Sequence, residues 1–333
     1  MSSARHNVAL TLALSDSDHV RDLVTGTVPV EGVDLTCLTY EVEEIFFRFA
    51  RYREWDIGEF SMGKFSALRA ADDTSVVGIP VFTSRAFRHS ALYVRDDGPR
   101  DDPGALSGGR IGIPEWTVTA TVYGRDLLSK EYGVGLTDVE WVQGGTNEPG
   151  RVETLPVEVP DDVRVTVETQ KALNDLLLAG EVDAILAPHP PTGFEDGTGR
   201  LVHLFRDPEA VERAYLERTG IFPIMHLIVI RREVYEENRW IAANLLTAFS
   251  AAKERALARA LDSNAARAPI PWANAHAREI TEALGSDPWP YGIDANRRTL
   301  SAFLEMGFEQ GLCSRRLEPD ELFVPEVQTT FRI

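Results

Sequence analysis

Cysteine is nearly absent from this chain of 333 residues. Cys37 and Cys313 are too few for a disulfide framework and lack the spacing of a metal site. Two buried free thiols are the simpler reading of the pair; one bridge is the other. Positive charge is also scarce, with 34 Lys plus Arg against 52 Asp plus Glu, a net −18. Phosphate neutralisation needs a basic face, so this balance excludes a nucleic-acid binder and a general affinity for anionic membranes. An anionic ligand must therefore be gripped by a local cluster of Arg, His and backbone N–H groups. No hydrophobic run is long enough to span a bilayer. The first apolar stretch, Val8 to Leu14, contains Thr11 and leads directly into Ser15-Asp16-Ser17-Asp18. That pattern suits a strand ending at a helix cap better than an export signal, and a cytoplasmic location is expected. Internal repeats and low-complexity segments are missing as well.

What remains is ordinary for a soluble globular protein, with 44% hydrophobic and 26% charged residues. The length suggests two domains, each able to bury a core. Strand and helix signals alternate, which favours an α/β fold. Strands are predicted at Val8–Leu14, Val33–Thr39, Asp56–Phe60, Val76–Pro80 and Ala91–Arg95. Further strands are predicted at Arg110–Pro114, Val139–Val142, Val182–Ala187 and Met225–Ile230. Helices are predicted at Asp18–Thr25, Glu43–Arg53, from Thr119 to Tyr132, at Thr169–Ala179 and at Glu209–Glu217. A long helix is predicted at Arg239–Leu261, with Asn238 as its cap. The polar cluster Asp96 to Gly104 reads as a crossing between lobes. The expected division is 1–95 plus 224–333 for lobe 1 and 96–223 for lobe 2. Ligand binding belongs in the cleft, at strand ends and helix N-termini.

Particular blocks carry a resemblance. Leu106-Ser107-Gly108-Gly109-Arg110-Ile111-Gly112-Ile113-Pro114 and Ala179-Gly180-Glu181-Val182-Asp183-Ala184 resemble the second lobe of type II periplasmic solute-binding proteins. More specific are Gly58-Glu59-Phe60-Ser61-Met62, Ser84-Arg85-Ala86-Phe87-Arg88-His89-Ser90, Glu115-Trp116-Thr117-Val118-Thr119, Phe222-Pro223-Ile224-Met225-His226 and Trp289-Pro290-Tyr291-Gly292. Together they resemble the 4,5-dihydroxyphthalate decarboxylase family, a cytoplasmic branch of that two-lobed fold. The resemblance implies conversion of 4,5-dihydroxyphthalate to 3,4-dihydroxybenzoate and CO₂, within aromatic (phthalate) catabolism.

Each carboxylate of such a substrate lies para to a hydroxyl. Deprotonating that hydroxyl pushes electrons to the carbon bearing the carboxylate, so the ring is its own electron sink and no organic cofactor is required. The protein must supply an anion clamp, a base and an acid. Arg85 and Arg88 are the clamp candidates, because a guanidinium grips a carboxylate through two parallel hydrogen bonds. Ser61, Thr117 and Thr119 stand at helix starts, where free N–H groups attract anions. Gly144 and Gly145 permit close backbone approach, and Arg151 can descend from a loop as a lid. His89 and His226 are the candidate acid and base, with Glu115 as a further proton donor and His189 lining the cleft. Trp116 and Trp289, with Phe87, are expected to form a dry wall for the departing carboxylate, and Tyr291 to meet a phenol. His6, His19, His203 and His276 are expected at the surface.

Each residue has a plainer role: an arginine paired with surface acids, threonines and Glu115 as caps, His226 bonded to backbone, Trp289 and Tyr291 packing a turn. Three histidines plus a carboxylate would also allow a divalent metal, although none shares a tight ligand spacing. Two other readings stand beside the decarboxylase. One is a solute-binding protein for an aromatic or anionic ligand; the other is a different lyase on the same scaffold. The partner expected is a small aromatic dicarboxylate, with a homo-oligomer possible.

Overall fold

The computed structural model describes residues 7–265 and 267–328. His6 lies outside the described residues. The chain begins with β1 (Val8–Leu14), α1 (Arg21–Val24), β2 (Val33–Thr39), α2 (Val42–Tyr52), β3 (Ile57–Ser61), α3 (Met62–Ala70) and β4 (Val76–Arg85). It continues through β5 (Leu92–Arg95), β6 (Arg110–Ile113), α4 (Thr119–Tyr132), β7 (Glu140–Gln143) and β8 (Arg164–Val167). Then come α5 (Leu173–Ala179), β9 (Ala184–Leu186), α6 (Thr192–Glu195), β10 (Leu201–His203) and α7 (Pro208–Thr219). The last elements are β11 (Ile224–Arg231), α8 (Arg232–Glu237), α9 (Ile241–Leu261), α10 (Ala273–Leu284) and α11 (Arg297–Glu309).

Among the described residues the strands form two mixed sheets. One has the order β2-β1-β3-β11-β4, the other β10-β5-β9-β6-β7-β8. The fold is therefore two-lobed α/β. The crossing comes earlier than the sequence suggests. Leu92–Arg95 pairs with β9 and β10, so it belongs to the second sheet, and the hinge is 86–91 instead of the polar cluster after Arg95. The reason is composition: Leu92, Tyr93 and Val94 are buried and fill an interior strand. At the return, Ala86 N–H donates to the Pro223 carbonyl at 3.3 Å, so the two crossing strands lie side by side.

β4 runs on past Pro80, where the sequence suggests it should stop. Proline is tolerated there because β4 is the last strand of its sheet. Its missing N–H leaves a mark in the ladder. His226 pairs with Ser84, while Ile228 two residues on pairs with Ile79, and a second irregularity separates Ile224 from His226. Bulges of this kind re-aim side chains, and here they flank His226.

β8, β10, α6 and α8 carry no strong sequence signal. β8 does alternate, as Val163-Arg164-Val165-Thr166-Val167, but it is only four residues long, exposed, and follows a proline-bearing loop, so the signal is short and easily passed over. Asn238 does not cap α9, which starts after Trp240 without a side-chain cap. His19 and His203 are half-buried rather than at the surface, with ring centroids 5.4 Å from Trp289 and 5.3 Å from Tyr93 respectively. Both cysteines are free thiols, Cys313 buried and Cys37 half-buried. Among the described residues no helix is long and apolar enough to cross a membrane.

α4 does not stay within its own lobe. Ala120, Val122 and Tyr123 pack into the hydrophobic core of lobe 1. Leu127 and Leu128, further along the same helix, pack into the core of lobe 2.

Candidate active site

A cleft of about 1070 Å³ opens between the lobes. Its floor is made by the ends of the first sheet, with Phe60 and Ser61 from β3, Ser84 from β4, and Met225 and His226 from β11. One wall is the stripe Val42, Phe46 and Ala50 of α2, and another is Lys64 and Leu68 of α3. Lobe 2 contributes Glu115, Val118, Thr119, Arg151 and His189.

The floor holds a dyad. His226 Nδ1 lies 2.7 Å from Glu59 Oε1. Glu59 is completely buried on β3, diagonally across the ladder from His226. Its other oxygen accepts from both the N–H and the hydroxyl of Ser15, at 2.7 Å each. Burial alone would raise this carboxyl. The hydrogen bond and charge of His226, with the two bonds from Ser15, reverse that and hold it well below the usual carboxylate range. A carboxylate on Nδ1 keeps the proton there in the neutral ring, so Nε2 is left free to accept a proton. Phe46 meets the imidazole edge-on, with centroids 4.8 Å apart, and fixes its plane.

Arg88 is the second notable group. Among the described residues it makes one hydrogen bond, from Nε to Met225 Sδ at 3.1 Å, and no ion pair. Burial pulls its pKa down to about 10, partly offset by nearby Tyr93 and Glu212. A guanidinium left without an anion in such surroundings is costly, and an anion placed beside it would relieve that cost.

At the mouth, ion pairs join the lobes. Glu115 is buried and receives Arg151 Nε at 2.8 Å, and Lys64 Nζ lies 3.1 Å from its other oxygen. Arg151 reaches on to Glu43 of α2 at 2.8 Å. Burial opposes ionisation of Glu43, but the hydrogen bond and charge of Arg151 lower its pKa. Helix starts meet as well. Thr119 Oγ accepts from Gly63 N–H at 2.9 Å and pairs with Ser61 Oγ at 3.0 Å. Among the described residues five cations, Arg51, Arg53, Lys64, Arg88 and Arg151, face this cleft against the two carboxylates of Glu43 and Glu115.

Seven residues expected from sequence come together here: Ser61, Arg88, Glu115, Thr119, Arg151, His189 and His226. Eight lie elsewhere. His89 sits in the core of lobe 2 against Tyr132, Phe205 and Tyr215, because the hinge turns it away from the cleft. Arg85 is enclosed between the Phe82 and Phe222 rings. It donates to the Phe222 and Pro290 carbonyls and to Asn296, so its terminal nitrogens are used in tying down the C-terminal segment. Trp116 is a support under the mouth, with Nε1 donating to the Gln310 carbonyl and Arg125 stacked 3.8 Å from its ring. Thr117 is occupied by Glu153, which accepts from its N–H and its hydroxyl.

Gly144 and Gly145 serve packing: a Cβ there would meet the Glu168 and Glu148 carbonyls at 2.8 and 1.7 Å. Trp289 donates to the Phe82 carbonyl, and the Tyr291 ring lies 4.8 Å under the Lys253 ammonium, both outside the cleft lining. Phe87 stacks on Phe222 at the hinge, and the apolar lining of the cleft includes Phe46, Phe60, Val118 and Met225 instead. Glu115 has both oxygens engaged and acts as a tie. Among the described residues no three His, Cys, Asp or Glu side chains converge to hold a metal ion.

Sequence reasoning missed Glu59, Ser15, Lys64 and Ser84. A signal for Glu59 existed: an acid in a strand otherwise made of Ile57, Gly58 and Phe60 has to be buried, and buried acids need partners.

A chain 37% identical over 325 residues is a 4,5-dihydroxyphthalate decarboxylase of Comamonas testosteroni, and the match covers 97% of this chain and 98% of that one. This chain belongs to the 4,5-dihydroxyphthalate decarboxylase family. A second family member, from Pseudomonas putida, is 38% identical over 201 residues, covering 60% of this chain and 78% of that protein. No model of a protein family matches the sequence. Among solved structures, the periplasmic aliphatic sulphonate binding protein SsuA from Escherichia coli superposes with a TM-score of 0.54 at 12% identity. That match covers 98% of this chain and 94% of SsuA. The alkanesulfonate-binding SsuA of Xanthomonas axonopodis pv. citri gives 0.53 at 11% identity, covering 96% and 98%. The chain thus has the periplasmic-binding-protein-like fold.

Proposed function

We propose that this chain is a carboxy-lyase that converts 4,5-dihydroxyphthalate, or a closely related hydroxylated aromatic carboxylate, to 3,4-dihydroxybenzoate and CO₂. The carrying observation is that one cleft is lined both by an arginine with no ion pair among the described residues and by a histidine whose Nδ1 is fixed by a buried glutamate. Arg88 holds the carboxylate that is retained. A cation on the departing one would stabilise the ground state and slow its loss. The ring lies against Phe46, Phe60 and Met225, so the departing carboxylate leaves charged solvation for an apolar wall. The catechol edge then faces Lys64, Ser61 and Thr119, whose ammonium and hydroxyls favour the phenolate.

The proton balance is simple. A phenolic O–H loses its proton, and a proton is added at the ring carbon bearing the departing carboxylate, giving a dienone. The C–C bond breaks, its electron pair restores the aromatic ring, and CO₂ departs. The phenolate regains a proton from solvent, so one proton is consumed overall. His226 Nε2 carries the proton to carbon, and the Glu59 carboxylate stabilises the imidazolium formed in transit.

The test is incubation of the purified protein with 4,5-dihydroxyphthalate while following absorbance and CO₂, with and without a chelator. Equal turnover in both is expected, since the ring itself accepts the electrons. Binding without CO₂ release would make the protein a receptor instead of an enzyme.

A further inference from the structure

We infer that the cleft contains a second, apolar subsite along α2, which admits hydroxylated aromatic acids bearing a second ring. The inference rests on the decarboxylation proposed above and deepens it to a wider substrate class. The first observation is size. Pockets of about 300–1,000 Å³ enclose drug-sized ligands, whereas this cleft measures about 1070 Å³. A one-ring diacid leaves much of it empty.

The second observation is how the space is lined. His226, Ser61 and Ser84 are gathered on the floor strands, and Arg88 joins them from the hinge. Along α2, residues 42, 46 and 50 are spaced at i, i+4 and i+8, and so form one stripe about 12 Å long. They are Val42, Phe46 and Ala50, and all three line the cleft. Ile45 and Phe49 of the same helix are fully buried on its core side, so the stripe is a separate face with its own use. Phe47 lines the cleft beside it while 56% exposed. Leu68 supplies the opposing wall from α3, one turn past Lys64.

Phe46 belongs to both halves. Its ring touches the His226 imidazole on one side and begins the apolar stripe on the other. A flat ring attached to the reacting ring would therefore pass along Phe46 toward Ala50. At that outer end Arg51 lines the cleft and, among the described residues, makes no ion pair. A polar or anionic group on the second ring is accommodated there.

The probe is 3-phenyl-4,5-dihydroxyphthalate, which keeps both carboxylates and both hydroxyls and adds one ring. Wild-type protein and the Ala50→Trp variant are compared on this compound and on the parent, by turnover and by equilibrium binding. Burying a phenyl ring is expected to tighten binding of the larger compound about tenfold relative to the parent. Ala50→Trp should raise KM for the phenyl compound roughly ten times more than for the parent, because it fills the outer stripe. Turnover of the parent alone, with no binding of the phenyl compound, would overturn the subsite. So would equal damage to both by Ala50→Trp. Binding of the phenyl compound that Ala50→Trp abolishes supports the subsite even if the parent is not decarboxylated. In that case only the proposed reaction falls.

Discussion

Replacing Glu59 by Gln keeps the size of the side chain but puts an amide donor within reach of His226 Nδ1. The imidazole can then carry its proton on Nε2, the wrong nitrogen for accepting one. We expect kcat to fall about 100-fold with KM little changed, and the pH–rate profile to alter. Arg88→Ala should act in the opposite sense, raising KM roughly tenfold or more through loss of a charge-assisted pair, with a smaller effect on kcat. A large loss of turnover at unchanged affinity would show that Arg88 contacts the departing group. Arg85 looks equivalent in sequence, three residues earlier, yet its two terminal nitrogens are spent on Phe222, Pro290 and Asn296. Local sequence could not separate the two arginines, because the difference arises from a segment some 200 residues downstream. His89 carries a different prediction. Burial, with the nearby Arg218 charge, lowers its pKa from 6.5 to about 4. Between those values the unfolded chain binds a proton that the folded one does not, so stability declines as pH falls through that window. The decline is about 3 kcal/mol at most, measurable by denaturant titration against pH. His89→Phe should flatten this acid limb.

Among the elements, the junction of α3 and α4 is the most exacting. A Cβ at Gly63 would lie 2.5 Å from the Thr117 carbonyl, a backbone atom that cannot swing aside. Gly63→Ala should force the helix starts apart, lengthen the contact between Gly63 and Thr119, and destabilise the fold by about 1–3 kcal/mol. Calorimetry would register the destabilisation, and a raised KM would register the displaced cleft wall. Legibility in the sequence also varied by element. Strands with clear alternation or apolar runs, such as Val8–Leu14 and Val33–Thr39, are marked directly by their residues. Edge pieces are held by pairing with neighbours; β10 has only three residues to announce it, and β8 only the brief alternation Val163-Arg164-Val165-Thr166-Val167. Pro80 misled because a breaker is judged by its own geometry, while its tolerance depends on lying in the outermost strand.

For the molecule as a whole, strand–helix alternation and the sequence blocks disclosed the two-lobed plan and the family. The cleft's membership was less legible, since a pocket is assembled from side chains whose directions depend on bulges and hinges. Ser61, Thr119 and His226 were legible because they sit at element ends, where chains of this plan expose polar groups. Ser15 was not, because a residue two contacts behind His226 leaves no spacing signal, and Glu59 showed only as an acid inside an otherwise uncharged strand. The large acidic surplus also takes on meaning here. It leaves the cleft as a local reversal of sign, so added salt should weaken capture of a dianionic substrate more than it alters turnover.

Because α4 inserts one end into each hydrophobic core, neither lobe can melt while the other keeps its native packing. Heating should therefore give a single endotherm, with calorimetric and van't Hoff enthalpies in agreement, instead of the two separable transitions that loosely joined domains display.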